Sequence, residues 1–156
     1  MEQRQRLAVL IDGENISTKI AARVFGEIAE LGDACVRRVY ADFTRTNLQP
    51  WKDFVTNHAL VAHQNFPCAA KKNATDIAMV VDAMDLLHSR LFDGFCIVSS
   101  DSDFCRLASR IREEGLFVYG FGRDNPASPS FKNACHQFFD VAKFDPKKAP
   151  VPVAKK

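Results

Sequence analysis

Four aspartates fall where an alternating α/β chain would carry carboxylates to one edge of its sheet. Asp12 closes the apolar run at 6–12 (RLAVLID). Asp101 follows the apolar run at 95–99, Asp103 lies two residues further on, and Asp76 stands in the first turn of a long helical pattern. In an open parallel sheet, ligands gather outside the carboxyl ends of the strands, where strand order reverses. If the first and fourth strands are neighbours, Asp12 and Asp101 come within one or two strand spacings of each other. Four acids in one notch repel, and a structural role rarely needs that. Mg²⁺ or Mn²⁺ does, because both favour carboxylate and water oxygens in octahedral geometry. Two such ions ~4 Å apart activate a water and stabilise the leaving oxygen of a phosphodiester; one ion still polarises the phosphate. Asp76 and Asp103 also suit helix N-termini on charge alone. Asp12 and Asp101 have no such second use, since each directly follows a strand.

The other candidates are neutral or basic. Asn15, three residues after Asp12, is placed to hold its carboxylate or to touch phosphate. Ser99 and Ser100 are placed to donate to phosphate oxygens or to Asp101. Lys71 and Lys72 precede Asp76, and a lysine there would bind a substrate backbone and offset the acids. Asp82 and Asp85 read as the polar side of the long helix, with Asp82 also placed to support the acids. Arg37, Arg38, Arg45 and Lys52 suggest a basic track, with Phe43 or Trp51 as a stacking surface; Trp51 also reads as a core anchor.

The elements that must position these groups alternate strand and helix throughout. Strands are expected at 6–12, 34–43, 60–64, 95–99 and 116–121. Ser17 caps a helix that Gly32 stops. Asn47 caps a second, with Pro50 in its first turn. Thr75 caps the long helix, whose core positions read as Ile77, Val80, Val81, Met84 and Leu87. A fourth helix buries Phe104, Leu107, Ala108 and Ile111, and a last helix at 130–138 precedes a short extended piece. Strands separated by helices imply right-handed crossovers and a parallel sheet covered on both faces. The long helix also carries Ala78, Met79 and Ala83, which suggests a second buried face, either against the last helix or in a homodimer.

The chain has 156 residues, an ordinary apolar content and a net charge of +2. One domain is expected at 1–144. Residues 145–156, rich in Pro and Lys, are expected to be a disordered tail. That tail alone holds four lysines and one aspartate, which leaves 1–144 near −1. The folded part is therefore not a module that coats nucleic acid through many phosphate contacts. No run approaches a membrane span, and the start of the chain has no apolar secretion segment, so a cytoplasmic setting is expected. The cysteine number is odd, at five, with no CxxC pair, which reads as single thiols in a reducing compartment rather than a disulfide frame or a zinc site.

Three spaced segments, VLIDGENIS (9–17), KNATDIAMVVDAMDLL (72–87) and IVSSDSDFCRLASRIREEG (97–115), together with ACHQF (134–138), resemble the NYN domain family, in the LabA-like bacterial branch of the PIN-like nuclease superfamily. The resemblance runs from Leu7 to Val141. It implies a three-layer α/β/α PIN-like fold (Rossmannoid) with about five parallel strands in order 3-2-1-4-5, and metal-dependent ribonuclease chemistry with RNA as partner. Carried over by motif, Asp12, Asp76, Asp101 and Asp103 would bind Mg²⁺ or Mn²⁺, and Asn15 would be an active-site polar residue. Lys72 departs from the family's Lys-Gly-x-Asp by one residue of spacing. The leading expectation is an endoribonuclease that uses a carboxylate-held, metal-activated water and leaves a 5′-phosphate and a 3′-hydroxyl. The alternative is a regulatory module that binds RNA or protein with little or no turnover. A haloacid dehalogenase-type phosphatase is disfavoured by Asp12-Gly13-Glu14 where an Asp-x-Asp nucleophile is needed. A dinucleotide-binding reading fails because no GxGxxG follows the first strand, so no nucleotide cofactor is expected.

Overall fold

The computed structural model describes residues 3–66 and 74–144. Lys71, Lys72, Cys68 and the tail at 145–156 lie outside the described residues. The chain runs β1 (Gln5–Asp12), α1 (Thr18–Leu31), β2 (Gly32–Ala41), α2 (Pro50–Asn57), β3 (Val61–Gln64), α3 (Ala74–Ser89), β4 (Gly94–Val98), α4 (Cys105–Glu113), β5 (Phe117–Gly122), α5 (Ser130–Ala134) and β6 (Gln137–Asp140). Short 3-10 turns lie at Thr46–Leu48, Ser102–Phe104 and Val141–Phe144.

All strand pairs are parallel, in the order 3-2-1-4-5-6. The expected order 3-2-1-4-5 is present, and a sixth strand extends it beyond β5. The last helix is accordingly shorter than expected, ending at Ala134, and Gln137–Asp140 pairs with β5 instead.

Side chains alternate along β1, as strand geometry requires. Leu7, Val9 and Ile11 pack with Ile20, Val24 and Ile28 of α1 and with Trp51 and Phe54 of α2. Ala8 and Leu10 pack on the other face with Met79, Ala83 and Leu87 of α3 and with Leu107 and Ile111 of α4. Every residue from Leu7 to Asp12 is fully buried. Each large aliphatic side chain taken wholly from water contributes ~1.5–3 kcal/mol, so this central strand is held firmly and its end is a rigid mount.

Local signals mostly act as expected. Ser17 accepts from Ile20 N at 3.2 Å and Gly32 ends α1. Three readings are corrected. Thr75, expected to cap the long helix, lies within α3 and is buried. Asn47 falls within the Thr46–Leu48 turn rather than capping α2, which starts at Pro50 with no side-chain cap. The core face of α3 is Thr75, Met79, Ala83 and Leu87, at strict four-residue spacing. Of the five positions expected inside, only Leu87 is buried; Ile77 is 63% exposed, Val81 55% and Val80 36%. Met79 and Ala83 lie two residues from Ile77 and Val81, which at ~100° per residue puts the pairs on opposite sides of the helix. Small residues let α3 sit close on Ala8, Leu10 and Tyr40, and the larger branched ones are turned outward.

Candidate functional site

Gly13 brings the chain out of β1 over β2. A Cβ there would lie 2.9 Å from Val39 Cγ2, so the approach requires glycine, and Gly13 N donates to Tyr40 O at 2.9 Å. This turn leaves Asp12 at the carboxyl end of the sheet. Its carboxylate is fully buried yet well supplied with donors. Asn15 Nδ2 donates to Oδ2 at 2.7 Å, Ser99 Oγ donates to the same oxygen at 2.9 Å, and Glu14 N donates to Oδ1 at 3.2 Å. Burial pushes the Asp12 carboxyl above its ordinary pKa, and these three hydrogen bonds pull against that rise.

Ser99 is where β4 delivers its contribution. Ile11 and Val98 are paired in register, so Ser99 follows directly alongside Asp12. Its carbonyl is hemmed in by Gly122 of β5, where a Cβ would come within 2.3 Å of it. The Ser99 hydroxyl also accepts from Asp101 N at 3.1 Å. Asp101 does have a second use, contrary to expectation: it caps the Ser102–Phe104 turn that leads into α4, its Oδ1 accepting from Asp103 N at 2.9 Å. Ser100 Oγ accepts from Arg123 N at 3.1 Å. One buried hydroxyl thus ties the carboxylate of Asp12 to the backbone of Asp101.

Asp76 completes the notch from the first turn of α3. Its carboxyl is pushed up to about 8, first by burial, then by Asp101 beside it, and then by the charges of Asp12 and Asp103. The structure therefore brings all four sequence-selected acids into one electrostatic neighbourhood. Among the described residues none of the four is ion-paired with a lysine, arginine or histidine. Nor, among the described residues, do three or more His, Cys, Asp or Glu side chains form a ready-made set of metal ligands. The donor set is nonetheless all carboxylate oxygen with excess negative charge, which suits a hard divalent cation. Asp12, Asp76 and Asp101 are the groups that could hold one, with Asp103 exposed at the rim.

Other candidates are placed elsewhere. Asp82 does not join the acids: its Oδ2 accepts from Tyr40 Oη at 2.7 Å and from Arg38 Nη1 at 3.1 Å. The basic track does not assemble. Arg38 is taken by Asp82, Arg45 pairs with Glu14, and Arg37 donates to the carbonyls of Ala34 and His58. Trp51 is buried in the core and offers no stacking face. Cys96 and Cys135 are buried, whereas Cys35 is exposed.

Sequence reading missed one feature of the site. An apolar groove of about 240 Å³ opens beside the acids, lined by Asp76, Ile77, Val80, Val81, Asp103 and Phe104. Its signal was present in α3, which is apolar on nearly every side and so has more apolar surface than one buried face accounts for.

No helix among the described residues is long and apolar enough to cross a membrane. The fold is similar to the crystal structure of VPA0982, a protein of unknown function from Vibrio parahaemolyticus. The match has a TM-score of 0.71 and 17% identity, and covers 90% of this chain and 95% of that one. No curated protein matches the chain. The model of the NYN domain matches residues 6–142, which takes in β1 to β6 and all four acids, and the chain therefore belongs to the NYN domain family, a PIN-like nuclease family.

Proposed function

We propose that this chain is a Mg²⁺- or Mn²⁺-dependent endoribonuclease that hydrolyses RNA phosphodiesters to a 5′-phosphate and a 3′-hydroxyl. The carrying observation is the convergence of Asp12, Asp76, Asp101 and Asp103 from three separate stretches of chain at the carboxyl ends of β1 and β4. When bound, a divalent cation supplies charge neutralisation at the phosphate and acidification of an attacking water.

The chain's own residues do the rest. Asp12 is kept in one orientation by Asn15, Ser99 and Glu14 N, so its oxygens are preorganised rather than sought during the reaction. Asp101 is fixed by its own turn and by the Ser99 hydroxyl. Burial and the facing acids raise the Asp76 carboxyl to about 8, and a divalent cation held beside it would favour its charged, ligating form. Asn15 is exposed and keeps a second amide hydrogen for a phosphate oxygen. The Ser100 hydroxyl accepts from Arg123 N and keeps its own proton to donate. Lys72, immediately upstream of α3 in sequence, is assigned to the RNA backbone. A reducing, cytoplasmic setting belongs to the same proposal.

A second reading, an RNA- or protein-binding module with little turnover, draws on the absence of a ready-made ligand set among the described residues. One assay separates the two. End-labelled single-stranded RNA is incubated with purified protein and Mn²⁺, beside Asp12→Asn and Asp101→Asn. Rapid cleavage by wild type, lost in both variants, supports the nuclease. Equal cleavage by all three overturns the site, and metal-dependent binding without product over hours favours the module.

A further inference from the structure

The groove beside the acids is the part of this surface that the metal chemistry leaves unused. Its floor is apolar: Ile77, Val80 and Val81 are exposed, and Phe104, only 2% exposed, lies beneath them. Its rim is Asp76 and Asp103, two of the four converging carboxylates. Ile77 follows Asp76 directly and Val80 lies one helical turn further on. The groove is therefore continuous with the acid notch, and a phosphate held there would place its attached nucleotide across these side chains.

We propose that this groove receives one unstacked nucleobase of a single-stranded RNA, next to the phosphate that is cut; the proposal rests on the nuclease reading and names its substrate class. Three observations select that occupant. The volume, about 240 Å³, lies below the ~300–1,000 Å³ typical of drug-sized ligand sites and accommodates one flat ring system. The lining is apolar where a base presents its faces. The rim carries carboxylate oxygens where a base presents N–H donors on its edge. Branched aliphatic side chains touch any base alike, so the groove selects an unpaired strand and not a sequence. A base inside a duplex is stacked and reaches such a groove only after unpairing.

The test uses Asp12→Asn protein with Mg²⁺, so that bound RNA stays intact. Its partner variant adds Ile77→Ser and Val81→Ser, two exposed positions whose change leaves the core untouched. Affinity is measured for a short single-stranded RNA and for copies with one abasic site moved along the strand. The expected result is at least tenfold weaker binding of intact RNA by the serine variant. Abasic substitution at one position should cost the parent protein a similar factor and the serine variant nothing more. Methyl resonances of Ile77, Val80 and Val81 should shift when RNA is added. RNA that binds equally tightly to both proteins, with those methyls unmoved, overturns the groove and leaves the nuclease reading intact. Wild-type dimers that the serine variant dissolves overturn it too, since the face then belongs to a second copy. A groove that passes these tests while wild type fails to cleave with Mn²⁺ keeps the base site and removes the nuclease.

Discussion

Ser99 and Asp12 are 87 residues apart in sequence and share a hydrogen bond of 2.9 Å, wholly out of contact with water. The same hydroxyl accepts from Asp101 N. Removing it therefore leaves a buried carboxylate short of a donor and a backbone N–H short of an acceptor. Ser99→Ala is expected to cost ~1–3 kcal/mol of stability, the price of unsatisfied buried polar groups. In the nuclease reading it also lowers the cleavage rate by 10–100-fold, as loss of a group that orients a metal-binding carboxylate does. Urea denaturation and a single-turnover RNA assay check the two effects.

Asp76 faces Asp101, Asp12 and Asp103. Folding at pH 7 must either protonate the Asp76 carboxyl or hold it charged, buried and beside three acids, a cost that an amide at that position does not carry. Asp76→Asn is expected to raise the melting temperature in EDTA by ~2–4 °C, the shift that about 1 kcal/mol produces in a chain of this size. Added Mn²⁺ should reverse the ranking. A cation that binds only the folded state stabilises it by ~2.7 kcal/mol at a hundredfold excess over Kd, and Asp76→Asn should lose most of that gain. Thermal scans of both proteins, with EDTA and with Mn²⁺, decide. A wild type that Mn²⁺ does not stabilise counts against the metal centre.

His136 gives the ACHQF segment a part in holding the fold together. Its Nδ1 accepts from Val118 N at 3.0 Å and its own N donates to Val118 O at 2.9 Å, which locks the start of β6 onto β5. The acceptor role requires a neutral ring. Desolvation first, and the Arg112 guanidinium second, hold its pKa below the ordinary value. The unfolded chain takes up a proton near pH 6.5 while the folded chain still resists it. Its contribution to stability is therefore complete above about 6.5 and is lost as pH falls towards the lower folded value. The ring is largely solvent-exposed, so the loss stays under ~1 kcal/mol. Unfolding free energies at pH 7.5 and 5.5 should differ less for His136→Asn than for wild type.

The meeting of Asp12 and Asp101 was legible in sequence because both follow strands, and strand ends are marked by where apolar runs stop. Asp12 and Asp101 needed only the neighbouring of β1 and β4, which the Ile11–Val98 register provides. The inward face of α3 was not legible, because Ile77, Val80 and Val81 are better core residues by type than Thr75 and Ala83. Close packing on Ala8 and Leu10 overrode that preference in favour of small side chains. β6 was hidden for a different reason. Gln137–Asp140 is four residues long, follows a one-turn helix, and becomes a strand only through pairing with Tyr119–Gly122. The role of Asp82 depended equally on partners, Arg38 and Tyr40, that no local pattern announces.

That last arrangement yields a prediction that separates stability from function within one helix. Asp82 lies on α3 six residues after Asp76, yet its carboxylate serves the fully buried Tyr40 and the half-buried Arg38, with His63 Nδ1 3.7 Å away. Burial and the adjacent carboxylate both push the Tyr40 hydroxyl well above its ordinary pKa, so it stays a donor at every physiological pH. Asp82→Ala strands that hydroxyl and should cost ~1–3 kcal/mol. Tyr40→Phe removes the donor together with its need and should cost less, and the double variant should show the two losses to be non-additive, as for groups in contact. Since the Asp82 carboxylate is engaged by Tyr40 and Arg38, Asp82→Ala should cleave RNA within about twofold of wild type, assayed well below its unfolding transition. A loss of activity as large as that of Asp12→Asn would place Asp82 in the acid notch and overturn this separation.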